Sequence, residues 1–192
     1  MRTLEGPGIG LCALLIAACA SSPVTLVALP AAPRVAQTQG SAYGAGTTIL
    51  LRQVFLPRYL DAYPVLLGHQ GNTLIVANKI EWAEPFPDAV SRVLRDALSQ
   101  RLGPSHVLIP GDGRIPGADL TVEFLALDPR EGEVRLDAKW TFACTAPVGA
   151  SHSGQTSIQV PLEAATASSV AAATAVALGR LADALAAHAQ CA

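Results

Sequence analysis

The residues of this chain whose types could do chemistry are its four cysteines, Cys12, Cys19, Cys144 and Cys191, and its four histidines, His69, His106, His152 and His188. The most telling spacing is Ile16-Ala17-Ala18-Cys19: an aliphatic residue, two small residues, then a thiol. The sulfur of Cys19 is the only nucleophile in that tetrapeptide, so a covalent attachment within it would fall there. The histidines are scattered without a carboxylate or cysteine at metal-ligand spacing, and neither HExxH nor GxSxG occurs. Ser151 and Ser153 flank His152 in "SHSG", but neighbours on an irregular loop rarely aim at each other. "GAG" at 44–46 lacks the following lysine and helix start that a phosphate cradle needs. No catalytic, metal-binding or cofactor-binding residue is expected, and the chain is read as a non-enzyme.

The surroundings of Cys19 match an export signal. Arg2 gives a positive start, Ile9 to Ala18 is a short apolar run, and Ser21, Ser22 and Pro23 stop it. The run is too short to span a bilayer, which takes roughly 20 apolar residues. Ile16 to Cys19 resembles the bacterial lipobox. Each buried acyl methylene contributes about 0.8 kcal/mol, so several chains on one cysteine make a stable anchor. Ala20 is not the Asp that marks inner-membrane retention, which favours the periplasmic face of the outer membrane. Residues 1–18 are therefore expected to be a signal peptide and 19–192 a single periplasmic domain. Cleavage and acylation leave Cys144 and Cys191 as the remaining thiols, and two readings stand: a disulfide formed in an oxidising compartment, or a small core residue and a free terminal thiol.

The elements must then come from the remaining pattern. A chain of 192 residues, 51% hydrophobic, can build one core. A net charge of -2, with both signs interspersed, argues against a nucleic-acid partner. "VTLVALP" reads as a first strand, and 31–46, rich in Ala, Gly and small polar residues, as a flexible loop. "TTILLRQVFLP" is a strand, and "VLLGHQGNTLIVANKIEW" two strands turning at Gly71-Asn72. Val90, Val93, Leu94, Ala97, Leu98 and Leu102 recur at helical spacing, with Asp88 placed to cap the start and Gly103 to end it.

A hairpin follows. Leu120, Val122 and Phe124 alternate with polar residues, as do Val134, Leu136, Ala138, Trp140 and Phe142. Like charges dislike facing each other, so Glu123 is set against Lys139 rather than Asp137, with Pro129 to Glu133 as the loop and Trp140 in the core. "TAPVGASHSG" reads as a break before the strand "QTSIQVPL". The Ala-rich segment from Glu163 to about Ala187 carries Val170, Thr174, Ala177, Leu178, Leu181 and Leu185 on one stripe. Arg180 and Asp183 argue against placing it in lipid. The expected fold is α+β, a mostly antiparallel sheet with two helices packed on one face.

"VFLPRYLD" at 54–61, "WAEPF" at 82–86, the helix "VLRDALSQRLG" and the later "DAKW" together resemble the PqiC/YmbA-type lipoproteins, auxiliary lipoproteins of ABC and MCE-type transport systems. The likeness spans nearly the whole mature chain; after "YLD" it departs, with Ala62-Tyr63-Pro64 where that family has an Arg-Pro-containing strand. The resemblance implies a lipid-anchored outer-membrane protein that works with an MCE-domain protein and membrane transporter subunits to move phospholipid, and it is compatible with a homo-oligomer. Tyr59, Leu60, Trp82, Glu84, Pro85 and Phe86 are then docking candidates. Their structural reading is that Trp82 fills the core, Glu84 sits by a helix N-terminus and Pro85 with Pro87 sets the helix entry. The alternatives to tethering are a lipid carrier, which needs an elongated apolar groove, and a structural envelope-assembly lipoprotein.

Overall fold

The computed structural model describes residues 23–34, 47–145 and 150–191. Cys19, the signal segment and most of the 31–46 loop lie outside the described residues. The strands are β1 (Thr25–Val27), β2 (Ile49–Phe55), β3 (Pro64–Gln70), β4 (Thr73–Trp82), β5 (Val107–Leu108), β6 (Ala118–Arg130), β7 (Glu133–Cys144) and β8 (Ser151–Pro161). The helices are α1 (Phe86–Leu102) and α2 (Ala167–Ala187), and a single 3-10 turn covers Arg58–Asp61.

The expected α+β class holds, but the strands form two mixed sheets rather than one mostly antiparallel one. The small sheet has the order β1-β4-β3 and the large one β5-β2-β6-β7-β8. β1 runs parallel to β4, and β2 runs parallel to both β5 and β6. Sequential hairpins are legible in the sequence and these parallel pairs are not, for a physical reason. A parallel pair needs a long crossover, here the β3–β4–α1 segment between β2 and β5. β1 and β5, at three and two residues, are too short to show a period.

Several boundaries differ from expectation. The N-cap of α1 is Pro85 and no side chain caps it; Asp88 sits in the first turn, while Gly103 at φ 92° ends the helix. The β6–β7 loop is shorter than Pro129 to Glu133. Only Glu131 and Gly132, at φ 50° and 84°, turn the chain between paired Arg130 and Glu133. "SHSG" is the start of β8 rather than part of a break, and α2 starts at Ala167 behind the N-cap Thr166. The loop after β1 is not all peripheral: Ala32 is buried, and a Cβ on Gly179 of α2 would lie 3.4 Å from the Ala32 Cβ. The segment at Ala32 and Pro33 thus packs directly over α2 at Gly179.

The core lies between the large sheet and the helix pair. α1 and α2 pack on each other, α1 also against β2 and β5, α2 also against β7 and β8. The whole stripe Val170, Thr174, Ala177, Leu178, Leu181 and Leu185 is buried. By length and mean hydropathy (1.5) α2 could cross a membrane, but its apolar face is spent on this core. Arg101, buried on α1, donates to Asp183 Oδ1 of α2 at 2.6 Å and to the Ala97 carbonyl at 2.9 Å, which ties the helices together.

Candidate functional site

The seam between the two sheets starts with a register device. Glu123 pairs with Lys139, as expected, and the pairs from Ala118–Cys144 to Phe124–Ala138 share that register. A bulge at Leu125 then shifts the pairing, so that Leu127 faces Leu136 and Asp128 faces Arg135. Had the strand run on in one unbroken register, Leu127 would be turned to the opposite side from Leu120, Val122 and Phe124. β2 pairs no further than Phe55 with Glu123, so the end of β6 projects past it. The 3-10 turn that follows Pro57, together with β3, comes against this projecting end.

Asp128 is the centre of what results. Its side chain has no exposed surface. Tyr59 Oη donates to Oδ2 at 2.6 Å, His69 Nε2 donates to the same oxygen at 2.9 Å, and Arg130 reaches Oδ1 through Nε at 2.9 Å and Oδ2 through Nη2 at 3.2 Å. Burial alone would raise the carboxyl pKa, but the Arg130, Tyr59 and His69 hydrogen bonds hold it below the usual carboxylate range. Burial first, and Asp128 second, push the Tyr59 phenol up to about 12. The carboxylate is covered. The cluster works as a latch joining turn, small sheet and large sheet. In the sequence His69 stood among the four histidines without a role, and Asp128 and Arg130 were passed over; the one signal was an Asp inside the otherwise apolar "FLALDP".

The docking candidates gather beside this latch. Leu60, Trp82 and Phe86 are buried, with the two rings stacked at 4.7 Å. Tyr59 is half-buried, and Pro85 alone of the set is exposed. Glu84 is half-buried and accepts from Arg92 Nη2 at 2.5 Å, while the same nitrogen donates to the Leu29 carbonyl at 3.2 Å. Trp82 is therefore a core residue that sets the entry to α1. Tyr59, Leu60, Trp82, Phe86, Leu127 and Thr174 line a cleft that encloses about 20 Å³.

At the other end of the large sheet, Cys144 of β7 and Cys191 behind α2 form a disulfide with a Cα separation of 5.8 Å. Rings stack beside it: Trp140 on His188 at 4.9 Å and Phe142 on His152 at 5.1 Å. His152 Nε2 donates to the His188 carbonyl at 2.7 Å. Ser151 and Ser153 are exposed and, by strand alternation, turned away from His152. Among the described residues no three His, Cys, Asp or Glu side chains converge to hold a metal.

The family profile described as "ABC-type transport auxiliary lipoprotein component" matches residues 28–186, from the end of β1 to the last turn of α2. The chain belongs to that family. An auxiliary lipoprotein of this kind is a membrane-associated partner of an ABC transporter, which agrees with the resemblance carried by "VFLPRYLD" and "WAEPF". No curated protein matches closely enough to add a named relative. Two crystal structures share the fold of this auxiliary lipoprotein. An uncharacterized protein superposes with a TM-score of 0.67 at 16% identity, over 88% of this chain and 100% of its own. A Xanthomonas campestris protein of the DUF330 family does so at 0.55 and 17% identity, over 85% and 90%.

Proposed function

We propose that the mature chain, acylated at Cys19, is a periplasmic subunit anchored in the outer membrane that tethers an MCE-type phospholipid transport assembly and its membrane transporter subunits. In this reading it is a non-enzyme and takes no cofactor. The observation that carries the tethering role is the tight packing around Trp82; the roomier cleft, about 440 Å³ at Cys144, His152, His188 and Cys191, lies open at the surface beside the disulfide. The cleft among Tyr59, Leu60, Trp82 and Phe86 encloses about 20 Å³, close to the room one water needs. An acyl chain does not fit there, so a carrier role has no container at this place. Docking falls to surfaces rather than pockets: Pro85 at the exposed entry to α1 is the contact, and Trp82 and Phe86 hold it rigid. Assembly as a homo-oligomer would multiply this contact.

In-cell crosslinking from an engineered position at Pro85 should capture an MCE-domain protein. Native mass spectrometry of the protein purified from membranes should show no phospholipid at fixed stoichiometry beyond the covalent anchor. Bound phospholipid in a constant ratio would replace tethering by the carrier reading, and capture of outer-membrane assembly factors alone would point to an envelope-assembly role.

A further inference from the structure

Half of the large apolar side chains that stand exposed among the described residues lie on two neighbouring strands of the small sheet: Val24 and Leu26 at β1, and Leu74, Ile75 and Val76 on β4. Their exposures run from 38% for Leu74 to 61% for Leu26. β1 covers β4 only from Ile80 to Trp82, so the Leu74–Val76 stretch is paired with β3 on one side and has no described strand on the other. Leu74 and Val76 face one side of β4 and Ile75 the other, so both faces of this stretch are apolar and exposed, and with no described strand along its free edge it asks for a partner.

The polarity of β1 says where that partner lies. β1 runs parallel to β4, so its N-terminal end points back along β4 towards Thr73. Cys19 precedes Thr25 by six residues (25 - 19), and an extended chain of that length spans at most about 20 Å. The hairpin stem from Ile80 back to Thr73 covers seven residues (80 - 73), roughly 23 Å at strand rise. Acyl chains on Cys19 would therefore hold a bilayer within one hairpin length of Thr25, and β1 enters the small sheet from the end at which the β3–β4 hairpin turns. The exposed cation of Lys79 on the same strand suits the lipid headgroup level.

We propose that the β3–β4 hairpin rests its Leu74-Ile75-Val76 segment, with Val24 and Leu26, on the lipid surface that holds the Cys19 acyl chains. The contact fixes the orientation of the domain on its tether, and it rests on the acylation reading above. The bilayer, rather than a second copy, is the occupant because the short tether brings it there in every molecule.

The test uses the acylated full-length product purified from membranes and reconstituted in phosphatidylethanolamine/phosphatidylglycerol vesicles. Cys144 and Cys191 are joined, so V76C or I115C supplies a single thiol for a solvatochromic dye. Ile115, at 81% exposure between β5 and β6, serves as the reference position. The dye at 76 should shift to shorter wavelength and lose most of its emission when doxyl-labelled lipid is included, while the dye at 115 keeps a water-like spectrum. Water-like emission at 76 in vesicles that carry the protein on flotation would overturn the hairpin contact and leave the anchor intact. A shift at 76 that depends on protein density and not on doxyl lipid would assign the patch to a second copy, and that too overturns it. Protein that fails to float would bring down the anchor and the contact with it.

Discussion

Tyr59 donates its phenolic hydrogen to Asp128 Oδ2 at 2.6 Å, so the turn that leads into β3 of the small sheet holds the far end of the longest strand of the large one. The two residues are 69 apart in sequence, and the bond closes the fold at the point where β2 stops short of β6. A hydrogen bond to a buried charge is worth roughly 1.5–3 kcal/mol. Tyr59→Phe should lower unfolding stability by about 2 kcal/mol by that rule, measured by denaturant titration with an unchanged slope. Asp128→Ala should cost more, about 3 kcal/mol or above, since it leaves Tyr59 and His69 facing an apolar gap. Equal or negligible losses would contradict the latch.

The same cluster sets a pH response of known sign. The folded-state pKa of Asp128 lies below its unfolded value, so its ionised form stabilises the fold above about pH 4. That contribution is lost as pH falls through the lowered folded value. The thermal midpoint should therefore drop on acidification below about pH 4, and the drop should be shallower in Asp128→Asn. Asp137 shares the direction, its carboxyl held low by Ser157 and Arg135 against the effect of burial, so part of the slope will remain. At the alkaline end the sign reverses. Tyr59, pushed up to about 12, stabilises while protonated, and its share goes as pH rises through that value.

Gly154 of β8 lies under the Trp140 indole, where a Cβ would collide with the ring atoms Cζ2, Cε2 and Cη2. Trp140 is held by Thr156, to which its Nε1 donates at 3.1 Å, so it has little freedom to yield. Gly154→Ala should cost about 1–3 kcal/mol. Ser153→Ala, one residue away and exposed, should stay within about 0.5 kcal/mol. Calorimetric midpoints of the two variants decide it.

The Cys144–Cys191 disulfide closes a loop of 47 residues that holds β8 and α2. In the chain-entropy account a closure of that length stabilises by about 4 kcal/mol. The double variant Cys144→Ala/Cys191→Ala should lose most of this in denaturant titration and become insensitive to reductant. A variant that still responds to reductant would contradict the pairing.

Legibility in the sequence followed the range of the forces. The α1 stripe, the β3–β4 turn at Gly71-Asn72 and the Glu123–Lys139 register were readable because period and cross-strand charge are local. The bulge at Leu125 was not, because its purpose is to bring Leu127 into line with Leu136 while Asp128 meets Tyr59 and His69, residues far away in the chain. The parallel pairs of β2 were hidden for the same reason. At the candidate site, "VFLPRYLD" and "WAEPF" marked the right neighbourhood, but the aromatic residues that drew attention are mostly buried supports around a covered carboxylate. An aromatic motif has the same appearance in sequence whether it faces a partner or the core.

Acylation of Cys19 underlies both the tethering role and the hairpin contact, and the fate of residue 19 in cells tests it. Growth with radiolabelled palmitate, density-gradient separation of the two membranes and mass spectrometry of the N-terminal peptide read it together. Label should appear in the protein, with an N-terminus at Cys19 carrying acyl chains and sedimentation with the outer membrane. Unlabelled protein that keeps Met1 and stays in the soluble fraction would contradict it.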